Sequence, residues 1–236
     1  MVNQRFEPNL TAYLGELFSS IQGEGLRVGI PMTFVRFLGC NLSCAYCDTP
    51  ASRTRGSPFL YDNRSRENPI ALVDLLNLIT ESEVALTGGE PLLQPEFVYG
   101  LASALKNVGR TVYLETNGTL PEAMAKVVSV TNWVAMDIKV PSATGSPTGW
   151  DAAERFLAIA CQNQVFVKIT IDDNVLPQEL NRISSIIAGV DRNIPLVIQP
   201  IFGRPVGKLR DIQNLLRQRI PDVRIIPQIH KYLGLR

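Results

Sequence analysis

The sequence predicts an α/β protein, a single domain built on a largely parallel sheet with helical crossovers. Three observations predict it. From residue 69 onward, short apolar runs alternate with longer stretches whose apolar residues recur at helical spacing. The Gly-rich and polar motifs each follow one of the short runs directly, where α/β proteins carry their ligand loops. At 236 residues, 45% hydrophobic and 19% charged, the chain has the length and composition of one ordinary globular core. No repeat or linker divides it, so residues 1–236 are expected to form one domain.

Taken in order, Leu14-Gly15-Glu16-Leu17-Phe18-Ser19-Ser20-Ile21 alternates like a strand and ends in Gln22-Gly23-Glu24-Gly25. Residues 10–31 therefore read as a hairpin-like extension. Residues 32–38 read as a strand with Phe34, Arg36 and Leu38 on one face. An arginine among apolar strand residues needs a partner if it is buried. A cysteine-rich loop follows. Residues 50–69 have no period and hold Arg53, Arg55, Arg64 and Arg66, which reads as a solvated insertion or lid with exposed cations.

Regularity begins at Pro69, suited to the first turn of a helix that runs to residue 79. Residues 84–86 are a buried strand ending in Thr87-Gly88-Gly89-Glu90-Pro91. Phe97, Leu101 and Leu105 stripe the next helix, with Gly109 just past its end. A strand at 112–114 ends in Glu115-Thr116-Asn117-Gly118, and a short helix starts near Pro121. The strand at 133–136 ends in Asp137-Ile138-Lys139 and precedes a helix over 151–161. A strand at 165–171 ends in Asp172-Asp173. Leu180, Ile183 and Ile187 mark a helix face, 196–201 a strand, and Leu209, Ile212, Leu215 and Leu216 another helix. The last strand, 223–226, ends in Pro227-Gln228-Ile229-His230.

The totals exclude some classes of function. A net charge of +1 gives no global attraction to nucleic acid or membrane. No apolar run is long enough to span a bilayer. Residues 1–9 lack the apolar core of an export signal, and four cysteines in a chain of this size do not read as a disulfide framework. A cytoplasmic, reducing location is expected.

Three of the four cysteines lie in Cys40-Asn41-Leu42-Ser43-Cys44-Ala45-Tyr46-Cys47, spaced C-x3-C-x2-C. Thiolates are soft anionic ligands, and three in one loop favour a soft metal or an iron–sulfur cluster. Three ligands leave one iron of a four-iron cluster open, as catalytic metal sites require. A structural zinc site, completed by Cys161 or His230, is the alternative; zinc motifs pair two halves, and no second half is visible. The cysteine spacing resembles that of the radical S-adenosylmethionine (SAM) superfamily. Gly88-Gly89-Glu90-Pro91, in this order after the cysteines, resembles that superfamily's glycine-rich SAM motif.

Further stretches narrow the resemblance. Ser20-Ile21-Gln22-Gly23-Glu24-Gly25, Phe34-Val35-Arg36-Phe37-Leu38-Gly39-Cys40-Asn41-Leu42, Cys47-Asp48-Thr49, Thr87-Gly88-Gly89-Glu90-Pro91, Glu115-Thr116-Asn117-Gly118, Asp137-Ile138-Lys139-Val140-Pro141-Ser142 and Gln228-Ile229-His230-Lys231 resemble the 7-carboxy-7-deazaguanine synthase family. The resemblance implies an incomplete (β/α) barrel of about six parallel strands, a homodimer, and three cofactors: a [4Fe-4S] cluster, SAM and Mg²⁺. It implies conversion of 6-carboxy-5,6,7,8-tetrahydropterin to 7-carboxy-7-deazaguanine with release of ammonia, on the way to queuosine and other 7-deazapurines. An electron donor such as flavodoxin or ferredoxin is implied as a partner.

Carried over by position, the resemblance puts the cluster on Cys40, Cys44 and Cys47, and Mg²⁺ on the Thr49 hydroxyl, an oxygen suited to a hard cation. It puts Ile21, Gln22, Gly23, Arg36 and Thr87 against the substrate. Tyr46, Asp48, Gly89, Glu115, Lys139 and Ser142 are implied against SAM. Arg36 suits bidentate pairing with a carboxylate. His230 reads equally as a packed histidine or a pocket residue, and Cys161 as packing. The rival readings are another radical SAM enzyme, such as a glycyl-radical activase, and a zinc-stabilised binding module without catalysis.

Overall fold

A computed structural model describes residues 10–236. The reading of residues 1–9 as free of an export signal falls outside the described residues. Strand β1 (Leu14–Ile21) runs antiparallel to β2 (Pro31–Phe37), with a bulge between Leu14 and Glu16. Gly15 is the extra residue, the ordinary mark of a bulge. A short hairpin follows, β3 (Phe59–Tyr61) and β4 (Arg64–Arg66), turning on Asp62 and Asn63, both at positive φ. Residues 50–69 thus carry a short hairpin, and most of them are exposed, as expected of a solvated insertion. β3 pairs parallel with β1, and Phe59 and Ser52 are buried.

Helix α1 is short, Leu72–Leu76, and starts later than Pro69 suggested, because Pro69 follows a cis bond and residues 70–71 bridge back to Thr11–Ala12. Thereafter strand and helix alternate: β5 (Glu83–Gly88), α2 (Pro95–Asn107), β6 (Thr111–Thr116), α3 (Pro121–Val127), β7 (Trp133–Asp137). Two helices, α4 (Pro141–Thr144) and α5 (Trp150–Ala160), separate β7 from β8 (Gln164–Ile171). The chain continues through α6 (Pro177–Asp191), β9 (Leu196–Pro200), α7 (Leu209–Arg217), β10 (Val223–Ile225) and α8 (Ile229–Tyr232).

The sheet order is β10-β9-β8-β7-β6-β5-β2-β1-β3-β4. Every neighbouring pair from β2 to β10 is parallel, which makes seven parallel strands, one more than expected. Parallel strands are covered by their own crossover helices, so their outer residues are continuously apolar. Val35, Val84, Leu86, Val112, Leu114, Val134, Met136, Val167, Ile169 and Ile198 supply that face and join the helices in the main core. Each such side chain contributes roughly 1.5–3 kcal/mol on burial.

The other face is layered. Near the strand starts it carries Phe34, Ala85, Tyr113, Ala135, Phe166 and Val197, a second, smaller apolar cluster. Two residues further along each strand the side chains on this face turn polar: Arg36, Thr87, Glu115, Asp137, Lys168 and Gln199. Register aligns the layers, pairing Phe34 with Ala85 and Arg36 with Thr87, and Asp137 with Lys168. An apolar floor under a polar rim is the result.

Candidate active site

The polar rim opens into a cavity of about 310 Å³. Of the residues singled out from sequence, Ile21, Gln22, Gly23, Arg36, Cys40, Cys44, Tyr46, Cys47, Asp48, Thr49, Thr87, Gly89, Glu115 and Lys139 line it, as does His230. Ser142 does not. Its N–H and hydroxyl donate to the two carboxylate oxygens of Glu179, at 2.8 and 2.6 Å. The geometry makes Ser142 a tie between α4 and α6, away from the residues that line the cavity.

The cysteine loop is shaped by backbone from several crossovers. Gly39 N–H donates to Ser52 O (2.8 Å), Cys40 N–H to Arg53 O (3.1 Å) and Ala45 N–H to Thr144 O (3.0 Å). Asn41 donates to Thr119 and accepts from Asn117. All three thiols are free. Burial pushes the Cys40 and Cys44 thiols up, so a metal's charge is what would draw off their protons. The Leu42 N–H reaches the Cys40 sulfur at 3.4 Å. Among the described residues no three His, Cys, Asp or Glu side chains gather closely enough to hold one lone ion. A four-iron cube takes each thiolate at a different corner, so this donor set fits it. The Thr49 hydroxyl on the same cavity fits a hard cation that completes its shell with other oxygens.

The glycine pair at the end of β5 has a packing cause of its own. A Cβ on Gly89 would lie 2.1 Å from the Gly39 carbonyl oxygen and 2.7 Å from that of Ser52. Gly88 has φ +121°, reached easily only by glycine. Backbone meets backbone here, which presses the β5 loop onto the cysteine loop. Glu90, fully buried, fixes the neighbouring turn by accepting from Leu92 N–H (3.0 Å), Thr116 Oγ1 (2.9 Å) and Asn117 N–H (2.8 Å). Burial raises its pKa despite these donors.

Glu115, expected with Tyr46 and Lys139 against SAM, is held by two residues expected against the substrate. Gln22 donates to one of its oxygens (2.8 Å) and Thr87 to the other (2.6 Å). Arg36 stands over the Phe18 ring at 5.5 Å and meets Glu16 at only 3.4 Å. Gly23 is compact for a reason: a Cβ there would fall 2.0 Å from His230 Nδ1.

A chain of alternating charges crosses the rim. Lys139 lies over the Tyr46 ring (5.4 Å) and pairs with Asp137 (2.8 Å); Asp137 also meets Lys168 (3.3 Å), and Lys168 donates to Glu24. Gln228 donates to Glu24 (2.6 Å), and Lys231 pairs with Asp48 (2.8 Å). Burial alone would raise the Glu24 pKa; Lys168 and its hydrogen bond, helped by Gln228, bring it down to about 2. Burial would lower the Lys168 and Lys139 values, but their carboxylate partners, Glu24 and Asp137 respectively, raise both. Burial pushes the Tyr46 phenol to about 12. One Asp137 oxygen, the Tyr46 hydroxyl and the Gln199 carbonyl oxygen are shut off from water without a partner. Such groups are completed by an ordered water or a polar ligand, and all three residues line the cavity.

Lys168 and Gln199 were not singled out from sequence, and Glu24, Glu90 and Asp137 stood in motif stretches without a role of their own. The period-two rule held a signal for two of them, since Lys168 and Gln199 are polar residues on the inner face of otherwise apolar strands.

The profile of the radical SAM superfamily matches residues 34–179. A 7-carboxy-7-deazaguanine synthase from Geobacter sulfurreducens is 38% identical over 244 residues, covering 94% of this chain and 97% of that protein. The chain belongs to the 7-carboxy-7-deazaguanine synthase family of the radical SAM superfamily. A relative of the same name from Archaeoglobus fulgidus is 36% identical, covering 96% of this chain and all of that protein. The crystal structure of QueE from Escherichia coli superposes with a TM-score of 0.66 at 22% identity, over 98% of this chain and 99% of that one. The shared fold is the incomplete α/β barrel of that superfamily.

Proposed function

We propose that the chain is a 7-carboxy-7-deazaguanine synthase, converting 6-carboxy-5,6,7,8-tetrahydropterin to 7-carboxy-7-deazaguanine with loss of ammonia. The observation that carries this reading is the convergence of Cys40, Cys44 and Cys47 with Gln22, Arg36, Thr87 and Glu115 on one cavity, in a chain 38% identical to a synthase over nearly its whole length. When bound, the [4Fe-4S] cluster and SAM would supply the radical chemistry that removes hydrogen from carbon.

The chain's own residues hold, orient and enclose. Cys40, Cys44 and Cys47 would hold the cluster. Asp137 offers its free oxygen to the amino group or hydroxyls of SAM, with Lys139, Tyr46, Asp48 and Gly89 beside it. Thr49 supplies an oxygen to Mg²⁺. Arg36 exchanges its long contact with Glu16 for a bidentate pair with the substrate carboxylate. The Glu115 carboxylate, aimed by Gln22 and Thr87, matches the adjacent N–H donors of a pterin ring. Phe18, Phe34, Tyr113 and Phe166 keep water from the reacting carbon.

Flavodoxin or ferredoxin as donor, a homodimer and a cytoplasmic location complete the reading, on the strength of the family. No helix among the described residues is long and apolar enough to cross a membrane. The test is anaerobic turnover of synthetic carboxytetrahydropterin with and without Mg²⁺. Deazaguanine and ammonia in equal amounts are expected, with faster turnover when Mg²⁺ is present. Cleavage of SAM without deazaguanine would refute the substrate.

A further inference from the structure

Segment 50–57 contributes one cation to the cysteine loop. The Arg53 carbonyl accepts from Cys40 N–H at 3.1 Å. Its guanidinium reaches the next cysteine, one terminal nitrogen donating to the Cys44 carbonyl at 2.5 Å. Arg53 therefore holds two of the three cysteines, one by backbone and one by side chain. Its Nε is buried without a partner, and the residue lines the same cavity as the three thiols. Nearby arginines are placed differently. Arg55 lies over the Tyr13 ring at 5.2 Å and Arg66 over Tyr61 at 5.4 Å.

We propose that Arg53 is a positioning residue for the iron–sulfur cluster, bracing the loop at Cys44 and making the bound cluster easier to reduce through its fixed charge. The inference rests on the reading of Cys40, Cys44 and Cys47 as cluster ligands. Reduction adds one electron, and so one negative charge, to a cluster already ringed by three thiolates. The electron comes from a low-potential one-electron donor. A nearby cation stabilises the more negative state more, and does so strongly where water is partly excluded. The charge of Lys139 is matched by Asp137. The side-chain partner of Arg53 is a neutral carbonyl, no carboxylate among the described residues pairs with it, and a guanidinium does not deprotonate.

The experiment compares wild type, Arg53→Gln, Arg53→Lys and Arg55→Gln after anaerobic reconstitution, measuring iron and sulfide content and then the midpoint potential by EPR-monitored dithionite titration. In Arg53→Gln the ratio of reduced to oxidised cluster at a given potential is expected to fall about tenfold, a shift of about 59 mV for one electron. Arg53→Lys, which keeps the charge, and Arg55→Gln, which removes an equal charge outside the cavity, are expected to match wild type. A fully loaded Arg53→Gln at the wild-type potential would overturn the proposal, as would an equal shift in Arg55→Gln. If Arg53→Gln takes up no cluster, Arg53→Lys decides: the wild-type potential supports the charge role and a tenfold shift refutes it. Failure of the wild type itself to take up four irons would instead refute the ligand reading.

Discussion

Glu24 shows how a single side chain sets the charge of the rim. Without Glu24, Lys168 keeps only its longer contact with Asp137 (3.3 Å), so Glu24→Gln is expected to cost on the order of 3 kcal/mol at pH 7, the low end for breaking a buried pair, measured by urea unfolding. The Glu24 pKa is depressed from 4.5 to about 2, so its stabilising contribution is complete above pH 4.5 and fades as pH falls toward 2. The gap between wild type and variant should narrow over that window. Ser142 behaves otherwise. Both of its polar groups go to Glu179, so Ser142→Ala is expected to lose about 1 kcal/mol of stability while leaving the SAM Kd within twofold, read by equilibrium binding. The cysteines were legible because their spacing is a chemical signature. Lys168 was less so: the period of its strand marks a lone polar residue on the inner face, but its partners, Glu24 and Asp137, lie elsewhere in the chain.

At the scale of elements, the turn after β5 is a wedge between the cysteine loop and β6. Gly89→Ala would drive a Cβ into two backbone carbonyls, neither of which can rotate away as a side chain would. The variant is expected to lose roughly 2 kcal/mol or more, in the range of strain and overpacking, and to retain less than one cluster per chain by iron assay. Most strands and helices could be read from their periods, since burial on one face or both leaves a direct trace in sequence. The hairpin at Phe59–Arg66 could not. Its strands are three residues long and β4 is fully exposed, so no alternation accumulates. The start of α1 was misplaced because Pro69 serves equally at a helix start and in a cis turn. The glycine pair was legible as a motif, but the crossing of two backbones that it also serves is shown only by tertiary structure.

For the whole molecule, the main core lies between sheet and helices, while the cysteines stand at the rim of the opposite face. Folding stability and cofactor loading should therefore separate. Stripping iron with a chelator under argon is expected to leave the far-UV circular dichroism unchanged. It should also speed trypsin cleavage at Arg53 and Arg55 severalfold. Adding SAM to the reconstituted protein at 100 times its Kd should raise unfolding free energy by about 2.7 kcal/mol, by mass action alone. The gathering of the motifs on one face was foreseeable from their positions after strands, but the order of strands and the pairing of β1 with β3 were not, because long-range pairing leaves no local mark. The loop that begins at Cys40 takes backbone and side-chain bonds from Asn117, Thr119 and Thr144. During synthesis on the ribosome its thiols emerge long before those partners do. Iron delivered to a half-made chain would meet an unformed nest, so productive metallation has to wait until translation has passed the fourth helix.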